Sequence, residues 1–323
     1  MRWRRILAVL GVCVMTWSQA QAMDAHEWWH AMNDALIQQT YHATVVHQSY
    51  SRMERLQIWH RLKDGQVEEH LWSPRGREII CANGKMQVIA PQSRSVTVHE
   101  FNASSLLNSV PKVPMNVDEH YLVELNSDSP VVFGRSSIEL SIKPKDQYRF
   151  GLRFIIDVQS HLPLRSEVVD KEGHVQEQWI FTELQTAQAV AESGFNPMVD
   201  VTGFTEVHEA TSPPAIATPM PFKSLGHLPP GFSVTDSRQD DHGRWRIVIS
   251  DGLAMVSAFI EPDAGSPFLQ KHSEGQIGTS RVVSDQWMGH KTTVVGDVPR
   301  VTVAEIAIAL RENFELSAQA AVP

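Results

Sequence analysis

The stretch YRFGLRFIIDVQSHLPLRSEVVDKEGHVQEQWIF, Tyr148–Phe181, decides how this chain is read. Tyr148, Phe150, Leu152, Phe154 and Ile156 occupy alternate positions, with Arg149, Gly151 and Arg153 between them. Successive strand side chains point to opposite faces, so the spacing predicts a strand with an apolar wall on one side and charge on the other. Asp157–Pro163 breaks the period, and Pro163 opens a second strand. Asp170-Lys171-Glu172-Gly173 supplies a hairpin turn, with Gly173 free to take positive φ. His174–Phe181 completes three antiparallel strands. Such a sheet can hold something apolar on one face, and the stretch carries no nucleophile, metal cage or phosphate loop.

Outward from this stretch the period of two continues. Tyr41, Ala43 and Val45 alternate, as do Leu56, Ile58, His60 and Leu62. Glu69–Trp72, Arg77–Ala82, Lys85–Ala90, Ser95–Phe101 and Ile138–Ile142 read as further short strands. Asp64-Gly65, Pro74-Arg75-Gly76 and Asn83-Gly84 punctuate them as tight turns. Before the strands, Asp24–Gln39 reads as a helix: Asp24 and Glu27 form a capping-box pair, and Trp28, Met32, Ala35 and Leu36 make its apolar stripe. Ala103–Ser129, with Leu106, Leu107 and Val110 interrupted by Pro111 and Pro114, reads as a short helix or cover element.

The expected fold is therefore α+β: a large open antiparallel half-barrel with cover helices over residues 23–207. A Pro-rich linker, 208–224, carries Pro213, Pro214, Pro219 and Pro221. A smaller mixed α/β unit follows over 225–323. Its strands are Phe232–Arg238, Arg244–Ser250, Leu253–Glu261, Gly278–Val283 and Thr292–Gly296. Its terminal helix is expected to open on a Thr302/Glu305 capping box and to bury Val303, Ile306, Ala307, Leu310 and Phe314.

Residues 1–22 read as a secretory signal: Arg2, Arg4 and Arg5 precede the apolar run Ile6–Trp17, and Ala20-Gln21-Ala22 is a small-x-small cleavage site. The expected destination is the periplasm. Cleavage removes those three Arg and no carboxylate, which deepens the net charge from −9 to −12. Nucleic acid is a poor partner for such a chain. Cys13 leaves with the signal, so Cys81 is the one cysteine of the mature chain and no intrachain disulfide can form. A small buried hydrophobe on a strand is its expected role.

His26-Glu27-Trp28-Trp29-His30 matches the zinc-peptidase pattern H-E-x-x-H. At 100° per residue, however, His26, Glu27 and His30 fall opposite the apolar stripe. A solvated helix face is the expectation, with zinc peptidase as a remote third reading. The remaining histidines lack ligand spacing, and no G-x-S-x-G elbow is present. No catalytic residue, cofactor or metal is implied. Aromatic side chains are the better lead. Trp28, Met32, Leu36, Ile58, Phe150, Phe154, Trp179 and Phe181 are the candidates for an apolar ligand cavity under the cover helix. Each methylene buried there contributes about 0.8 kcal/mol.

The chain also resembles the MucB/RseB family. In the large unit the resemblance rests on Tyr148-Arg149-Phe150-Gly151, Asp157, Leu162-Pro163-Leu164-Arg165-Ser166, Asp170, Gly173 and Glu177-Gln178. In the small unit it rests on Leu228-Pro229-Pro230-Gly231-Phe232, Ser250-Asp251-Gly252-Leu253 and Thr292-Thr293-Val294-Val295-Gly296-Asp297-Val298-Pro299, in family order. Gly134–Gln147 is shorter than the family norm, and Asp240–Arg244 and Gly265–Gly275 are individual. The resemblance implies a LolA-like large domain and a non-enzymatic periplasmic regulator. Such a regulator binds the periplasmic domain of a membrane anti-sigma factor of the RseA/MucA type and shields it from proteolysis. Lipid, lipopolysaccharide or lipoprotein releases it under envelope stress. Asp251, Gly252 and Leu253 become candidate partner-binding residues of the small domain, and self-association to a homo-oligomer is a further expectation. The alternative is a LolA-like periplasmic carrier of lipid or lipoprotein.

Overall fold

In the computed structural model the chain is described over residues 23–50, 52–74, 78–100, 114, 116–126, 130–208, 225–240, 242–263, 271–287 and 289–320. Residues 1–22, expected as a signal, most of the expected cover element Ala103–Ser129, and residues 209–224 of the expected linker lie outside the described residues.

Helix α1 (Ala25–Gln38) starts where its cap demands. Asp24 Oδ1 accepts from Glu27 N at 2.9 Å, and Glu27 Oε2 accepts from Asp24 N at 2.8 Å, closing the capping box. Its buried face is Trp29, Met32, Ala35 and Leu36. Helical spacing in the sequence places Trp28 on that face. Trp29 occupies it instead, since 29, 32 and 36 share one side of a 3.6-residue turn. Trp28 flanks the face half-buried, edge-on to His161 at 5.1 Å.

The large sheet is built from β1 (Tyr41–Ser49), β2 (Arg52–Lys63), β3 (Gln66–Trp72), β4 (Glu78–Ala82), β5 (Lys85–Ala90) and β6 (Ser95–Glu100). After the helical turn α2 (Val117–His120) come β7 (Tyr121–Asn126), β8 (Val131–Val132), β9 (Arg135–Pro144), β10 (Gly151–Asp157), β11 (Pro163–Val169), β12 (Val175–Thr186) and β13 (Thr205–His208). Their spatial order is β13-β6-β5-β4-β3-β2-β1-β12-β11-β10-β9-β7, with β8 on β9. Neighbours are antiparallel except β13, which runs parallel to β6. The two end strands do not pair with each other, so the sheet stays open. It nevertheless curls. α1 touches β2, β9 and β7, and β2 lies six places from β7, roughly 29 Å away if the sheet were flat. A helix about 10–12 Å across reaches both only if the sheet wraps around it. The core within the wrap joins Trp29, Met32 and Leu36 to Tyr41, Val45, Ile58, Leu140, Phe154, Ile156 and Phe181.

Strand β10 begins at Gly151, three residues later than the alternation suggests. Asp146 Oδ1 accepts from Tyr148 N at 2.9 Å and turns the chain before the ladder starts. Arg149 is thereby swung out of the strand and is fully buried.

The small unit is an antiparallel sheet of β14 (Ser233–Gln239), β15 (Trp245–Ser250), β16 (Met255–Pro262), β17 (Lys271–Ile277), β18 (Ser280–Trp287) and β19 (His290–Gly296), in the order β14-β15-β16-β19-β18-β17. Helix α3 (Arg300–Ala320) packs on β18 and β19 through Val303, Ile306, Ala307 and Leu310. The Phe314 side chain lies outside the described ones. The expected Thr302/Glu305 capping box is replaced by a different use. The helix already starts at Arg300, and both side chains reach Tyr148 of the large unit: Thr302 Oγ1 donates to Tyr148 O at 2.7 Å, and Tyr148 Oη donates to Glu305 Oε1 at 3.1 Å. No helix among the described residues is long and apolar enough to cross a membrane.

Candidate functional site

A cavity of about 330 Å³ opens between the two units, at the lower end of the roughly 300–1,000 Å³ usual for ligand sites. Leu36 of α1 forms its floor. Phe150, Leu152 and Phe154 come from the β10 arm, Pro163 and Val168 from β11, and Trp179 and Phe181 from β12. The small unit supplies the lid: Leu253 and Ala254 from the turn between β15 and β16, and Met255 from the start of β16. Alternation along β10 and β12 is what aims these side chains to one face.

Of the eight residues expected to line an apolar cavity, the structure brings five together there: Leu36, Phe150, Phe154, Trp179 and Phe181. Met32 and Ile58 are buried in the core around α1, and Trp28 sits on the flank of that helix. Leu253, expected at a partner surface, lines the cavity from the lid.

Asp251 lies behind the lid, where it is buried against the large unit. Arg149 Nε donates to Asp251 Oδ2 at 2.5 Å, with both side chains fully buried. Tyr121 Oη donates to the same oxygen at 2.9 Å. Arg149 also donates to Asp146 and to the carbonyl of Pro230, and its guanidinium stacks 4.9 Å from the Phe232 ring. Burial alone would lower the Arg149 pKa; the hydrogen bonds to Asp251 and Asp146 outweigh it and raise it. Burial, then the Asp251 charge, pushes the Tyr121 hydroxyl up. Asp251 Oδ1 meanwhile accepts from Leu253 N and Ala254 N, at 2.9 and 2.7 Å, and so shapes the lid itself. Gly252 takes φ +100°, and a Cβ there would sit 2.9 Å from Pro114 Cβ, so only glycine fits the lid against that proline.

A second seam joins β12 to the turn between β17 and β18. Thr279 Oγ1 donates to Glu177 Oε2 at 2.7 Å. His47 Nε2 lies 2.8 Å from Glu177 Oε1 and stacks on Trp179 at 4.1 Å. The His47 hydrogen bond, helped by Thr279, holds the Glu177 carboxyl below its ordinary value.

The H-E-x-x-H residues do not converge. His26 Nε2 pairs with Asp118 at 3.1 Å, Glu27 is spent on the helix cap, and His30 points to solvent. Among the described residues the trio close enough to share a metal is Asp170, Glu172 and His174, at the β11–β12 turn. There Asp170 accepts from the Glu172 and His174 amides, as turn geometry requires. Cys81 is buried on β4, and burial, then the Glu69 charge, pushes its thiol up to about 12.

The model of the MucB/RseB N-terminal domain matches residues 24–199, and that of the MucB/RseB C-terminal domain matches residues 221–311. The chain belongs to the MucB/RseB family. It is 30% identical over 326 residues to the sigma factor AlgU regulatory protein MucB of Pseudomonas aeruginosa, covering 96% of this chain and 98% of that one. It is 24% identical over 314 residues to the sigma-E factor regulatory protein RseB of Haemophilus influenzae, covering 92% and 94%. The solved structure of MucB in complex with MucA(peri) matches at 27% identity with a TM-score of 0.67, over 88% of this chain and 97% of that one. A crystal structure of MucB matches at the same identity and the same 88% of this chain, with a TM-score of 0.56.

Proposed function

We propose that this protein is a periplasmic, non-catalytic regulator. It grips the periplasmic domain of a membrane anti-sigma factor of the MucA type, protects it from proteolysis, and lets go when an envelope lipid, lipopolysaccharide or lipoprotein inserts an apolar chain into the cavity. Family membership across both domains supports the regulatory role, and the likeness to MucB beside MucA(peri) supports the partner. The basic and apolar character of residues 1–22 supports export.

One observation carries the coupling: the cavity has large-domain walls and a small-domain lid. A ligand shifts a two-state arrangement only through its difference in affinity for the two states. An acyl chain that overfills about 330 Å³ displaces Leu253-Ala254-Met255. It thereby strains the Asp251–Arg149 pair that keeps the domains in their present arrangement. Affinity capture from an envelope extract is the test, with the mature protein as bait. Recovery of a single-span anti-sigma factor is the expected result. Outer-membrane lipoproteins recovered without such a factor would replace this function with that of a carrier, which the apolar cavity also fits.

A further inference from the structure

Beneath α1 lies a buried pair that neither the cavity nor the seams between the units use. His60 of β2 and Glu69 of β3 face each other across the ladder, both side chains out of solvent. His60 Nδ1 lies 2.8 Å from Glu69 Oε1. Its Nε2 lies 2.9 Å from the carbonyl oxygen of Ile37, in the last turn of α1. Both partners are acceptors, and a neutral imidazole has a single N–H. The second bond therefore needs one more proton, on the ring or on the carboxyl, and the count is the same in either case. The helix end favours the charged ring. The last carbonyls of a helix lack intrahelical partners and carry partial negative charge, and α1 has no basic residue of its own in that turn.

The groups packed around the pair do not supply that proton. In register, Tyr41 of β1 flanks His60, stacked at 5.0 Å, and Cys81 of β4 flanks Glu69. Burial, then the Glu69 charge, pushes the Tyr41 hydroxyl and the Cys81 thiol up, so both stay neutral. Arg61 and Glu68, next along the same two strands, point to the other face and pair there, Arg61 also with Glu192. We infer that His60 and Glu69 form a proton-operated latch on α1, fastened while the pair holds its extra proton and slackened when that proton leaves. Without it the carboxylate faces a ring lone pair, or the Ile37 carbonyl loses its donor, so one bond goes as pH rises. Leu36, beside Ile37, is the floor of the cavity between the units, so the latch also sets how firmly that floor is held. It stands on the pair alone, whatever the cavity binds.

Hydrogen exchange of the mature protein and of the variant Glu69→Gln tests the latch. The amides read are Leu36–Gln39 at the end of α1, from about pH 5 to about pH 9, the span across which an imidazole changes charge. Rates are corrected for the intrinsic pH dependence of exchange, with the Leu140 and Ile156 amides of the same core as controls. A glutamine at position 69 donates to Nδ1 and leaves a neutral ring free to keep its Nε2–H on Ile37, so this variant needs no extra proton. In the wild type, protection at Leu36–Gln39 should fall about tenfold as pH rises, the ratio that one charge-assisted hydrogen bond supplies, while the controls hold constant. In Glu69→Gln it should stay within about twofold across the same range. A flat wild-type profile overturns the latch, as does an equal fall in the variant. Should the variant fail to fold, the wild-type profile decides alone: a fall confined to Leu36–Gln39 upholds the latch, and one shared by the controls overturns it.

Discussion

Arg149 shows how a single residue can be misplaced by its neighbours. It sits between Tyr148 and Phe150, where alternation assigns charge to the solvent side. The structure buries it completely, because its acceptor Asp251 comes from another sheet 102 residues later in the chain. No local period can carry that information; the only sequence trace is the recurrence of Arg149 and Asp251 within the two family motifs. A buried pair broken on one side leaves an uncompensated charge. Arg149→Ala should therefore cost about 3–5 kcal/mol in denaturant unfolding. Replacing both partners with apolar residues, Arg149→Met with Asp251→Leu, should recover most of that loss. Cys81 was legible as a buried hydrophobe. Because burial raises its thiol to about 12, it is protonated at pH 8, and the thiolate is the reactive form. A disulfide reagent should leave it unmodified in the folded protein and label it on unfolding, as mass spectrometry would show.

At the scale of elements, period and caps performed well where contacts are local. The Asp24/Glu27 box set the start of α1 to within a residue. Met32, Ala35 and Leu36 face the core as the period predicts, and only the tryptophan is one residue off, since two adjacent tryptophans satisfy the apolar pattern almost equally and only the curled sheet chooses between them. Trp29→Ala should cost about 3–5 kcal/mol of stability, as a fully buried aromatic. Trp28→Ala should cost distinctly less, and the difference is read from paired denaturation curves. In α3, Thr302 and Glu305 match a cap in sequence and serve as docking groups for Tyr148, a use that only the tertiary structure reveals. The seam from β12 to Thr279 has a pH dependence of definite sign. Glu177 has a folded value below its unfolded value of about 4.3. The stabilisation it brings is present above the unfolded value and is lost as pH falls through the folded one. The stability gap between wild type and Glu177→Gln should thus be full at pH 7 and close below about pH 4.

For the whole molecule, the two-unit organisation could be read from the Pro-rich stretch 208–224, and the open antiparallel sheet from the turn spacing and the period of two. The relation of the units could not. It depends on the buried Arg149–Asp251 pair, on Tyr148 against α3, and on Glu177 against Thr279, none of which is local. The candidate cavity was half legible for the same reason. Strand alternation picked out Phe154, Trp179 and Phe181, whereas the lid residues Ala254 and Met255 carried no sign of their position. If the cavity is the ligand site, as proposed, that lid couples it to the domain arrangement, and linkage then requires the ligand and the partner to oppose each other equally. Calorimetric titration of the mature protein with the periplasmic domain of a MucA-type anti-sigma factor tests this directly, with the cavity empty and then saturated with a decyl-chain amphiphile. Tight binding to the empty protein and binding about tenfold weaker to the filled one are expected. No binding, or an affinity that the amphiphile leaves unchanged, would contradict it.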